Sequence, residues 1–194
     1  IGIGIILAVM FGRGWWGMAQ NRLADTLFLP RPVSRDIIII AIDDKSMQAI
    51  GRWPWDRKVH ARLLDALGNK PKVVGIDVTF SEPSGDDEIL ARALGRTKIV
   101  LAAEKDLVPV ERLRSGAKYG IVDVIIDRDG VVRRVQTDNS FVGQIAGEKG
   151  EIIINYAAKP GSFKTLSYVD ALAGGDFTNK IVLVGATAKD LHDE

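Results

Sequence analysis

Residues 37–42 read IIIIAI, a run with no polar position and therefore no side that could face water. Such a run suits a strand covered on both faces of a parallel sheet, and parallel neighbours must be joined by long crossovers, usually helical. The chain supplies both parts repeatedly. KVVGID at 72–77, KIVLAA at 98–103 and KIVLV at 180–184 are further apolar runs. Between them stand segments at helical spacing: SMQAI closed by Gly51, RKVHARLLDAL closed by Gly68 and Pro71, and EILARAL closed by Gly95. SYVDALA opens on Ser167 as its cap and ends at Gly174 and Gly175, while Asp56 and Asp44 stand where caps of their helices belong. This alternation predicts an α/β fold with a mainly parallel buried sheet flanked by helices. YGIVDVII and VVRRV flank Asp127-Arg128-Asp129-Gly130, which predicts an inserted β-hairpin or an antiparallel edge. EIIIN at 151–155 is a further strand.

The N-terminal segment is of another kind. Residues 1–11 (IGIGIILAVMF) are uncharged and stop at Arg13 beside Trp15 and Trp16. A membrane span takes about 20 apolar residues, and interfacial tryptophans mark its end. Residues 1–14 are therefore expected to be the outer end of a transmembrane helix, with the chain beginning partway through it. A buried core helix is the alternative. A signal peptide fits less well, because neither a basic start nor a small-residue cleavage pattern is present. Residues 15–29 continue as a juxtamembrane helix with Ala19, Leu23 and Leu27 on one face. That face predicts a parallel homodimer. LPRP breaks the helix, making 30–36 a linker to an extracytoplasmic domain over 37–194.

Composition narrows the function classes. The 194 residues suffice for one sizeable domain, and a net charge of +1 with no Lys/Arg cluster gives no sign of a nucleic-acid partner. With no cysteine, disulfides and Cys-based zinc sites are excluded. His60 and His192 are the only histidines, which removes most His-dependent metal and nucleophile schemes. Gly185-Ala186-Thr187 lacks a nucleotide fingerprint. Asp127 to Gly130 makes a poor calcium loop, with glycine too early and no closing Glu. No cofactor, metal or catalytic residue is expected.

Ligands of open parallel sheets bind beyond the carboxyl ends of the strands. Those ends carry Asp43 and Asp44, Asp77 and Thr79, Glu104, and residues 185–187. The carboxylates could receive a cationic or hydroxylated ligand, or could cap helices. Asp43 and Asp77 end strands that look adjacent, so their side chains are expected to approach one another unless strand order separates them. Gly51-Arg52-Trp53-Pro54-Trp55 is the most specific short segment. Proline between two indoles fixes the backbone, and Arg52 can stack on a ring or bind an anion. The segment is either an aromatic wall over the rim or a hydrophobic plug. Asp43, Arg52, Trp53, Trp55 and Asp77 are the candidate ligand-binding residues.

VSRDIIIIAIDDKSMQAIGRWPWDRKVHARLLDAL, KVVGIDVTFSEPSGDDEILARAL, VDVIIDRDGVVRRV, INYAAKPGSFKTLSYVDALAGG and NKIVLVGATA succeed one another in an order that resembles the second type of CHASE (cyclase/histidine-kinase-associated sensory extracellular) domain. The resemblance covers residues 25–188. It implies an extracytoplasmic sensor of a bacterial receptor in the cell membrane, placed between membrane helices that lead to a cytoplasmic kinase or nucleotide cyclase outside this chain. Residues 137–150 are shorter than the family's usual helix-containing segment. A metal-assisted extracytoplasmic hydrolase and a ligand-free dimerisation module are the other function classes the sequence allows, although no nucleophile elbow is present.

Overall fold

The computed structural model describes residues 32–156 and 158–188. The expected membrane helix and juxtamembrane helix lie outside the described residues. In chain order the elements are β1 (Ile37–Ile42), α1 (Asp44–Ile50), α2 (Arg57–Leu67), β2 (Val73–Ile76), α3 (Asp87–Leu94), β3 (Ile99–Ala103), α4 (Glu111–Arg114) and β4 (Lys118–Ile121). Then come β5 (Ile125–Ile126), β6 (Val132–Gln136), α5 (Phe141–Ala146), β7 (Glu151–Ile153), β8 (Lys164–Ser167), α6 (Tyr168–Leu172) and β9 (Ile181–Ala186).

Six strands form a wholly parallel sheet in the order β4-β3-β2-β9-β1-β8. The expected fold class is the observed one. The last strand, β9, lies between β1 and β2, with Ile38 and Val74 both opposite Val182. On one face, Ile38, Ile40, Ile42, Val74, Ile76, Ile99, Leu101, Val182 and Val184 point into a core closed by Leu63, Leu64 and Leu67 of α2, Leu90 and Leu94 of α3, and Tyr168 of α6. Alternate residues of one strand face opposite sides of a sheet, so Val73, Gly75, Val100 and Ala102 turn to the other face. There α5 packs against β2, β3 and β4.

Three features differ from the sequence expectation. YGIVDVII is not one hairpin arm: its first half is β4, at the edge of the parallel sheet, and only Ile125–Ile126 pairs with β6. The expected strand at 151–155 is β7, which extends that hairpin into a small antiparallel sheet, β5-β6-β7, rather than joining the large one. The third difference is β8. Its sequence KTLS carries no apolar run, because an edge strand with half-exposed side chains needs none. The turn at 127–130 is as expected, with Gly130 at φ +81°. Arg133 clasps Asp127 at 2.9 Å and Asp129 at 2.8 Å, and its guanidinium holds the Asp129 carboxyl down to about 2.

Residues 137–150 hold the short helix α5, capped by the Ser140 hydroxyl, which accepts from the Gly143 amide at 3.0 Å. Two glycines let α5 approach the sheet. A Cβ at Gly75 would lie 2.4 Å from the Ile145 side-chain tip, and one at Gly120 would lie 2.5 Å from the backbone of Ser140 and Phe141. A side-chain tip can move aside; a capped helix start cannot. Gly120→Ala is therefore expected to cost about 3 kcal/mol in urea unfolding and Gly75→Ala about 1 kcal/mol. Equal losses would show that α5 is not held at its N-terminus.

Candidate functional site

The carboxyl rim of the sheet gathers the sequence candidates, but β9 divides them. Asp43 ends β1 and Asp77 comes after β2, and these strands are not neighbours. The expectation that the two carboxylates approach one another fails on strand order.

Asp43 is the N-cap of α1, the role the sequence suggested for Asp44. One oxygen accepts from the Ser46 amide at 2.9 Å and the Ser46 hydroxyl at 2.6 Å. The other accepts from the Ser167 hydroxyl at the end of β8. Ser46 Oγ in turn accepts from the Val169 amide at 3.1 Å. Ser167 does precede α6, but its hydroxyl serves Asp43 instead of its own helix. Burial pushes the Asp43 carboxyl up, and the hydrogen bonds from Ser167 and Ser46 outweigh it, leaving the pKa below the usual range.

Asp77 is placed quite differently. Its amide donates to the Val184 carbonyl of β9 at 2.7 Å, and its side chain lies against Gly185. The carboxylate forms no hydrogen bond or ion pair among the described residues. It is exposed on one side, yet desolvation by the surrounding strand ends pushes its pKa up. On one side of Asp77 opens a cleft of about 390 Å³ that includes Glu104, Lys105 and Asp123. On the other opens a cleft of about 370 Å³, walled by Trp53, Pro54, Trp55 and Phe80 and floored near Ala186.

The aromatic wall is a cluster rather than two isolated rings. Trp53 meets Trp55 edge to face at 5.3 Å between centroids, and Trp55 meets Tyr168 at 4.8 Å. His60 packs on Phe80 at 5.2 Å. Trp55 is buried and donates its indole N–H to the Gly51 carbonyl at 2.8 Å. Trp53 is half-buried, and the Trp53–Pro54 peptide is cis. Trp55 thus anchors the segment in the core while Trp53 reaches the cleft, so the segment is plug and wall at once.

Arg52 is exposed and does not line either cleft beside Asp77. The arginine that does is Arg57, at the start of α2. Its guanidinium sits 4.6 Å over the Phe80 ring, bonds Asp87 at 3.1 Å, and donates to the Glu82 carbonyl at 2.8 Å. His60 lies one turn further along α2, with Nδ1 3.1 Å from the Tyr168 hydroxyl. Burial, and then the Arg57 charge, lower its pKa to about 4, so the ring is neutral at pH 7. Sequence reading missed Arg57, Phe80 and Tyr168 as partners of this region. The helical spacing of Arg57 and His60, three apart, was the available signal.

Among the described residues no three His, Cys, Asp or Glu side chains come together as a group that could hold a metal ion. The rim therefore lacks, in that part of the chain, the donor set a metal-assisted hydrolase needs. The cleft beside Trp53 can bind and orient a small molecule through rings, the Asp77 carboxylate and the Thr79 hydroxyl. A family model described as CHASE2 domain matches residues 2–194. The chain belongs to the CHASE2 family, whose members are extracellular sensor domains of signalling receptors. No curated protein and no solved structure matches it.

The buried His60 makes stability depend on pH. Its pKa is about 4 folded and about 6.5 unfolded, so the unfolded chain binds the proton first as the pH falls. Stability contributed by the neutral ring is full above about pH 6.5 and is lost as the pH drops towards 4. Between about pH 7 and about pH 5 the loss should be roughly 2 kcal/mol. His60→Gln should flatten that part of the profile in urea titrations at each pH; an unchanged slope would assign it to another group.

Proposed function

We propose that this chain is the extracytoplasmic input domain of a bacterial transmembrane receptor, with residues 36–194 outside the cytoplasm and residues 1–14 in the cell membrane. A stimulus received by the domain passes through membrane helices to a cytoplasmic kinase or nucleotide cyclase outside this chain. The domain itself performs no catalysis. The observation that carries this reading is the pair of clefts at the carboxyl rim of a CHASE2 sheet, where open parallel sheets receive ligands. The apolar run ending at Trp15 and Trp16 supports the membrane attachment. No helix among the described residues is long and apolar enough to cross a membrane, so attachment rests on the N-terminal run.

A signal leaving through a membrane helix requires motion relative to a second copy, which favours a parallel homodimer built on Ala19, Leu23 and Leu27. Alkaline-phosphatase fusions after Lys164 should be active, and cytoplasmic-reporter fusions there silent; the reverse pattern would overturn the topology. Changing Leu23 and Leu27 together to Asp should convert the detergent-solubilised chain from dimer to monomer in multi-angle light scattering. A dimer of unchanged mass would place the interface elsewhere.

A further inference from the structure

Asp77 stands at the edge of an aromatic cleft with no neutralising partner among the described residues. Its carboxylate has no hydrogen-bond or ion-pair partner among the described residues, although its strand neighbours partly strip it of water. A nearby cation favours the charged form of such a carboxylate. Among the described residues no cation pairs with it. Arg57 lines the same cleft, but its charge is committed to Asp87 at 3.1 Å and its plane to the Phe80 ring. His60, the other basic side chain there, is neutral at pH 7 because its pKa is about 4. Arg52 is exposed and stands outside the lining of the cleft.

Apart from the Thr79 hydroxyl, the remaining lining is hydrocarbon and aromatic. Trp53, half-buried, is the ring most open to the space; Trp55 and Phe80 are buried behind it, the Trp55 N–H committed to Gly51 and a Phe80 face to Arg57. The aromatic side of the cleft therefore presents chiefly the indole of Trp53, with the Thr79 hydroxyl beside it. Indole faces attract weakly hydrated cations, most strongly when water is excluded. The second cleft beside Asp77 has no aromatic wall and carries its own cation, Lys105, against Glu104 and Asp123. It does not combine the two features.

We propose that the Trp53–Trp55 cleft binds a small alkylated ammonium compound, its cationic head between the indoles and the Asp77 carboxylate. At about 370 Å³ the space suits a small metabolite and excludes a folded partner. This rests on the sensor reading above and supplies the chemical class of its stimulus. The ring cluster continues from Trp55 to Tyr168 of α6, so an occupant of the cleft touches the packed core and not a detached loop.

The test uses the full chain in detergent with Trp15 and Trp16 changed to Phe, so that Trp53 and Trp55 alone report. Choline is the cationic probe, and the neutral control is the dimethylbutanol in which carbon replaces its charged nitrogen. Choline should change the tryptophan emission saturably and raise the melting temperature, with the neutral isostere at least about tenfold weaker. Asp77→Asn should weaken choline about tenfold or more, and Trp53→Ala should abolish the response. Equal binding of the neutral isostere, full affinity in a folded Asp77→Asn protein, or no saturable response to choline would each overturn the proposal. If Asp77→Asn fails to fold, the choline-to-isostere ratio on the unchanged site decides alone. The sensor reading stands or falls separately, on the fusion and light-scattering results.

Discussion

The fold depends on the insertion of β9 between β1 and β2. Until the C-terminal strand is in place, the two halves of the parallel sheet share no hydrogen bonds: β1 carries β8, and β2 carries β3 and β4. Residues separated by more than a hundred positions must meet before either half is covered, which is a costly loop to close. β9 offsets that closure twice, pairing six residues with β1 and four with β2. Its alternate residues Val182 and Val184 are fully buried in the common core. The same insertion divides the carboxyl rim, because it spaces Asp43 from Asp77.

That spacing explains why two aspartates with the same sequence setting behave oppositely. Asp43 ties three elements together: the end of β1, the first turn of α1 and the β8–α6 junction through Ser167 and Ser46. Its charge is satisfied locally, and exposed Lys45 pairs with Asp170 nearby without entering the network. Asp77 lies against Gly185 at the edge of two clefts, with no hydrogen-bond or ion-pair partner for its carboxylate among the described residues. One carboxylate is absorbed by architecture and the other is left to the solvent side of the sheet.

Much of this was legible in the residues, and the exceptions have physical causes. Buried parallel strands announce themselves as continuous apolar runs, so β1, β2, β3 and β9 were plain. β8 was not, because KTLS sits on an edge and derives its register from hydrogen bonds to β1, not from burial. α5 was missed because a six-residue helix has too few positions to show a period. The segment Trp53 to Trp55 was visible as chemistry, but its neighbours were not. Arg57, Phe80 and Tyr168 come from three separate parts of the chain, and only folding brings them to one place. Asp44 reads as the cap in place of Asp43 because sequence alone cannot settle a helix start to one residue.

β1 and β9 run in the same direction, so the chain enters this sheet at one end and leaves it at the other. The exit is not remote from the rim: Ala186 floors the aromatic cleft, and the next two amides, Thr187 and Ala188, donate to the Ile42 carbonyl at 3.0 and 3.2 Å. The outgoing polypeptide thus borders the aromatic cleft. An occupant of the proposed site would therefore lie against backbone that the Thr187 and Ala188 amides tie to the end of β1.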